Sequence, residues 1–121
     1  MQFQLTTIHV EDIEKSVEFY QNILEMEEIK RINPRPGVGL SFLEDEGGVI
    51  ELIVGEGITA DSNAGISIGF KVDNMEETIA KLNEQGIELL RGPIETPNGV
   101  KLAFIADPNG VEVEFIAGLN L

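Results

Sequence analysis

Apolar and polar residues alternate through two long stretches of this chain, and each reads as a pair of strands joined by a turn. In Val100 to Phe115 (VKLAFIADPNGVEVEF), Val100, Leu102, Phe104 and Val111, Val113, Phe115 are apolar at a period of two, with Asp107-Pro108-Asn109-Gly110 as the turn. Glu114 stands between Val113 and Phe115. Alternation turns it to the opposite face, so one sheet face is apolar and the other carries acid. Val38 to Val54 (VGLSFLEDEGGVIELIV) has the same form, with Glu51 in the place of Glu114.

The other elements follow from period and punctuation. Residues 3–10 (FQLTTIHV) read as a strand with Leu5, Thr7 and His9 on one face and Ile8 and Val10 on the other. Asp12 is placed to cap a helix to about Glu25, with Ile13, Val17, Tyr20 and Leu24 as its apolar stripe. Residues 27–32 read as a short edge strand broken by Asn33-Pro34-Arg35-Pro36-Gly37. After a stretch rich in Gly, Asp, Ser and Asn the pattern restarts. Ile66 to Val72 is a strand, and Asn74 caps a second helix with Met75, Ile79 and Leu82 inward and Glu77 placed for a capping box. Gly86 ends that helix, Ile87 to Leu90 resumes as a strand, and Gly92-Pro93 and Pro97-Asn98-Gly99 mark turns. The strand positions Ile8, Val10, Ile50, Leu52, Ile68, Phe70, Val72, Val113 and Phe115 are expected against the helices.

The restart is a repeat. VEDIEKSVEFY from Val10 and VDNMEETIAKL from Val72 agree at an offset of 62, as do Val38 to Phe42 and Val100 to Phe104, while Glu51 to Glu114 needs 63. The chain is therefore read as one domain, 1–121, of two βαβββ modules, 1–54 and 65–117, joined by the linker 55–64. Neither module offers much core alone, which argues that the two work as a pair.

Composition narrows the function classes. A formal charge of −14, from 22 acidic against 8 basic residues, argues against nucleic acid, whose binding rests on basic residues neutralising phosphates. The same charge permits a cationic ligand or a metal ion, or simply solvates the surface. No apolar run reaches the ~20 residues of a membrane helix, which argues against a membrane partner. The first residues lack a basic-then-apolar leader, and there is no cysteine, so the expected location is cytoplasmic.

Over essentially its whole length the chain resembles the vicinal oxygen chelate superfamily, which holds glyoxalases, bleomycin-resistance proteins and dioxygenases. HVEDIEKSVEFYQNIL is similar to the family's first helix motif, and GPIETPNGVKLAFIADPNGVEVEF to its C-terminal signature. The resemblance implies an α+β glyoxalase-like fold, the two modules forming a cupped mixed sheet with helices outside. It also implies a site where first and last strands of both modules meet. The family's nitrogen ligands fall at Leu5 and Ser67, five residues before Val10 and Val72, and its glutamates at Glu51 and Glu114.

Both glutamates are thus retained and both nitrogen ligands are replaced. Leucine cannot bind a metal and serine is a poor ligand, so no cofactor is expected, although a divalent metal on Glu51 and Glu114 stays open. Leu5, Glu51, Ser67 and Glu114 are expected to converge on one cavity, with Thr7, His9, Gly69, Lys71 and Glu112 along the same faces as ligand-binding positions. His9 lies about 13 Å along the strand from Leu5 at ~3.3 Å per residue, too far to fill that corner. Arg31 and Arg35 are within reach of an anionic ligand or are solvated. Two functions stay open. The first is a metal-free protein of the bleomycin-resistance kind that binds a small molecule, working as a homodimer. The second is a metal-dependent lyase, isomerase or epimerase that enolises a small carbonyl compound with Glu51 or Glu114 as base. The missing ligands argue against a competent glyoxalase I.

Overall fold

The computed structural model describes residues 1–60 and 65–121. The chain divides into two compact units, Met1–Asp61 and Ser62–Leu121. Residues 61–64, the end of the expected linker, lie outside the described residues, and Gly55 at its start belongs to a strand.

The first unit contains β1 (Thr6–His9), α1 (Ile13–Asn22), β2 (Glu27–Arg35), β3 (Val38–Asp45) and β4 (Gly48–Gly55). Its four-stranded sheet has the order β1-β4-β3-β2. Helix α1 carries the chain from β1 to the far edge, and two hairpins bring it back. Two reversals leave β4 parallel to β1 and beside it, while the other pairings are antiparallel. The second unit repeats this with β5 (Ser67–Lys71), α2 (Met75–Glu84), β6 (Arg91–Glu95), β7 (Lys101–Ala106) and β8 (Glu112–Ala117), in the order β5-β8-β7-β6.

Both helices start where capping chemistry puts them. The Asp12 side chain accepts from the Lys15 amide at 3.1 Å, and that of Asn74 from the Glu77 amide at 3.0 Å. Helix α2 stops as expected before Gly86, whose φ is 74°. Helix α1 ends at Asn22 rather than near Glu25, because Glu25 takes a left-handed φ of 59° and the Met26 amide bonds back to the Tyr20 carbonyl at 3.0 Å. Leu24 is buried nonetheless.

The strands depart from expectation at the edges, where pairing on one side only relaxes the pattern. β1 is shorter than residues 3–10, and Phe3 is exposed. β2 is longer than 27–32 and runs through Asn33 and Pro34 to Arg35. An edge strand tolerates a proline that has no N–H to give, and the register shifts there between Ile32 and Arg35. In the second unit, Ile87 to Leu90 is not a strand. The strand is Arg91–Glu95, passing through the Gly92-Pro93 pair that reads as a turn. At Gly92 φ is 98°, and a Cβ would meet the Leu102 carbonyl oxygen at 2.8 Å, so only glycine fits this approach.

Each helix covers one face of its own sheet. Under α1 lie Ile8, Ile50, Leu52 and Leu43, with Val17, Phe19 and Tyr20 packed down from the helix. Under α2, Val113, Phe115, Ala103 and Ile105 are buried, but Ile68, Phe70 and Val72 are only half-buried. The inward side chains of α2 explain the difference. Met75 and Leu82 are buried and Ile79 is half-buried, without the aromatic pair of α1, so they cover less sheet. The extra residue of the second repeat sits in a hairpin tip. Glu44 pairs Val49 and Ala106 pairs Glu112, so four residues intervene in the first unit and five in the second. There Asp107 folds the turn by accepting from the amides of Asn109 at 2.7 Å and Val111 at 2.8 Å. Among the described residues no helix is long and apolar enough to cross a membrane.

One polar cluster is built into the α1 side. The fully buried Ser41 hydroxyl donates to Glu28 Oε2 at 2.5 Å, Arg31 Nε donates to the same oxygen at 2.6 Å, and Arg31 reaches Glu14 at 2.5 Å. Burial alone would raise the Glu28 carboxyl, but the bonds from Arg31 and Ser41 outweigh it and hold the group below its ordinary value of 4.5. A depressed carboxylate contributes stability that is complete above that ordinary value and is lost as pH falls through the lowered one. Replacing Glu28 by Gln is expected to cost about 1–3 kcal/mol in urea unfolding at neutral pH. The gap between variant and wild type should begin to narrow as pH falls below the ordinary value of 4.5 and close below the lowered one.

Candidate functional site

The face away from the helix carries the candidate residues in both units, because every second strand position points there. In the first unit one cross-strand row reads Thr7, Glu51, Phe42, Lys30 from β1 to β2. The Thr7 hydroxyl donates to Glu51 Oε1 at 2.9 Å, and Glu51 is half-buried. The next row holds His9, Ile53, Leu40 and Ile32. His9 Nδ1 lies 3.1 Å from the Thr59 carbonyl oxygen, which places the ring at the loop after β4 and not on a glutamate. Leu5 precedes β1 and is half-buried.

The second unit has the same row with different chemistry: Gly69, Glu114, Phe104, Arg91 from β5 to β6. Gly69 supplies no hydroxyl, so Glu114 lacks the donor that Thr7 gives Glu51. Ser67 pairs Glu112 in the row before, and Lys71 pairs Ile116 in the row after. The Arg91 guanidinium lies 4.0 Å above the centre of the Phe104 ring and ion-pairs with Glu112. Phe104 beneath it is only 7% exposed.

Within its unit, then, each retained glutamate stands in register with a first-strand residue, Thr7 for Glu51 and Gly69 for Glu114, while Leu5 and Ser67 lie two residues earlier. Phe42, Lys30, Phe104 and Arg91 complete the rows and are absent from the set read off the sequence. The two phenylalanines were visible as an aligned pair at offset 62. The two cations were not, because β2 shifts register between Glu28 and Lys30 and β6 shifts between Arg91 and Ile94, around Pro93. Arg31 is a correction: it serves Glu14 and Glu28 on the helix side and is not free for an anionic ligand. Arg35 is exposed at the end of β2, opposite Val38. Among the described residues no three His, Cys, Asp or Glu side chains come together as a group able to hold a metal ion.

Comparison with known proteins puts these rows in context. The profile of the Glyoxalase/Bleomycin resistance protein/Dioxygenase superfamily matches residues 2–115. The sequence is 31% identical to lactoylglutathione lyase of Salmonella typhimurium over 111 residues, 84% of this chain and 82% of that one. The fold matches the glyoxalase family protein from Enterococcus faecalis with a TM-score of 0.79 and 27% identity, covering 95% of this chain and 96% of that one. It also matches the fosfomycin resistance protein FosX of Listeria monocytogenes with a TM-score of 0.80 and 20% identity, covering 98% and 94%. The architecture is accordingly the α+β, two-module glyoxalase fold.

The Arg91–Glu112 pair is open to solvent, with side chains 52% and 30% exposed. A double-mutant cycle with Arg91→Met and Glu112→Gln is therefore expected to return a coupling of only about 0.5–1 kcal/mol in urea unfolding, shrinking in high salt.

Proposed function

The chain belongs to the Glyoxalase/Bleomycin resistance protein/Dioxygenase superfamily, and on that premise we propose that it binds a small molecule without a catalytic transition metal. What carries this reading is the donor set. Transition metals need several N, O or S donors in defined geometry. Here the position that the family resemblance assigns to a nitrogen ligand in the first unit is Leu5, just before β1, which has no donor, and one oxygen of Glu51 already accepts from Thr7. In the second unit Ser67 offers a neutral hydroxyl beside Glu112, and Glu114 faces a glycine. These residues do not fit a zinc- or nickel-type centre.

The ligand this site suits is small and carries a hydrogen-bond donor or positive charge for Glu51 or Glu114, in keeping with the net acidity of the chain. Thr7 and His9 would then shape the surroundings of Glu51 in the first unit, and Gly69, Lys71 and Glu112 those of Glu114 in the second. A second reading has one observation in its favour, the 31% identity to a lactoylglutathione lyase. In it Glu51 or Glu114 acts as a general base on a carbon acid next to a carbonyl, in a lyase, isomerase or epimerase.

Elemental analysis of purified protein separates the two. The binding reading expects no stoichiometric transition metal, and expects Leu5→His with Ser67→His to raise zinc or nickel affinity by orders of magnitude. One tightly held ion per chain, lost on Glu51→Gln or Glu114→Gln, would replace it with the metalloenzyme.

We also propose that the chain works as a homodimer, since two units of this size bury little core each. Sedimentation is expected to show a dimer. A monomer at every concentration rejects it.

A further inference from the structure

The two units place an aromatic ring beside a carboxylate at the same register, yet treat the ring differently. In the second unit Phe104 is covered. Arg91 crosses it because Glu112, on β8 beyond the ring, holds the guanidinium from the far side. In the first unit the position matching Glu112 is Val49, since Glu44 pairs Val49 as Ala106 pairs Glu112. The acids of that row, Glu44 and Glu27, stand on β3 and β2, so at the β4 position no acid lies beyond the ring to draw Lys30 across Phe42. Among the described residues Arg91 on Phe104 is the one cation stacked on a ring. Phe42 is left half-buried, with Glu51 directly across from it and Val49 and Ile53 alongside on the same face.

From this contrast we propose that Phe42 and Glu51 form a receptor for a ligand cation of the guanidinium or alkylammonium class carried on an apolar body. Arg91 is the internal occupant of the matching place in the second unit. An aromatic face attracts a cation through its quadrupole, most strongly where water is partly excluded. Glu51 supplies the charge, with the oxygen not engaged by Thr7 available for a charge-assisted bond. Val49 and Ile53 supply the apolar floor for the ligand's body. Lys30 flanks the ring on its other side and opposes the incoming charge, so it sets affinity from outside the contact.

The inference rests on the binding reading and deepens it, and the two fail on different measurements. Metal content decides the first. The second is decided by calorimetric titration of the intact protein with hexylguanidinium and with hexylurea, its uncharged isostere. Hexylguanidinium is expected to bind and hexylurea to bind far more weakly. Phe42→Leu should weaken hexylguanidinium by about 5- to 30-fold, the range of a partly desolvated cation–π contact. Glu51→Gln should weaken it as well, and Lys30→Gln should tighten it several-fold. The latter two exchange polar side chains, half-buried Glu51 on β4 and exposed Lys30 on β2, for glutamine and leave the apolar face under the helix untouched, so they report even if Phe42→Leu disturbs the fold. Equal binding of guanidinium and urea, equal binding by wild type and the Glu51→Gln and Lys30→Gln variants, or no saturable binding at millimolar concentration overturns the inference.

Discussion

Each unit depends on the parallel pairing of its first strand with its last. β1 and β4 are far apart in sequence, and so are β5 and β8, yet each pair shares a ladder in the middle of its unit's chemistry. Loop closure over such a span costs conformational entropy, which local hydrogen bonds alone would not offset. The helix makes up the difference. It connects the first strand to the far edge and then packs over the face that first and last strands build together. Removing the helix-side apolar residues would undo the ladder that sets Thr7 against Glu51, so core and candidate site are one construction.

That coupling explains what could be read in advance. Period-two stretches and capping residues announced the hairpins and both helix starts, since Asp12 and Asn74 act within three residues of themselves. The repeat announced the architecture, because two aligned halves with one period require equivalent elements. Register was another matter. Nothing local tells β1 whether to place Leu5 or Thr7 opposite Glu51, as both are on the correct face and differ by one step along the ladder. The edge strands hid more. Pro93 looks like a breaker, and only a strand paired on one side can carry it, so Arg91 does not read as a strand residue. Lys30 lies in the expected strand, but the register shift between Glu28 and Lys30 breaks the alternation that would have placed it.

The two units also show how little is needed to change a surface on a constant frame. One exchange, threonine against glycine, gives one glutamate a hydroxyl partner and denies it to the other. A second, glutamate in place of valine, gives the second unit an ion-pair partner for the arginine that lies across its aromatic ring. The first- and last-strand registers correspond in the two units, with Thr7 opposite Glu51 as Gly69 is opposite Glu114, so these differences are side-chain chemistry on matching ladders.

The uneven hairpin tips have a consequence for how such a chain can be altered. Five residues turn the second hairpin where four turn the first, yet Glu51 and Glu114 still stand across from Phe42 and Phe104. A single residue added within a strand would instead exchange its two faces and bring every carboxylate to the oily side. Length is therefore free at the tips and fixed in the ladders. A peptide tag, a reporter or a cysteine for labelling belongs between Asp45 and Gly48 or between Ala106 and Glu112, where the chain has already varied its own length and kept its faces.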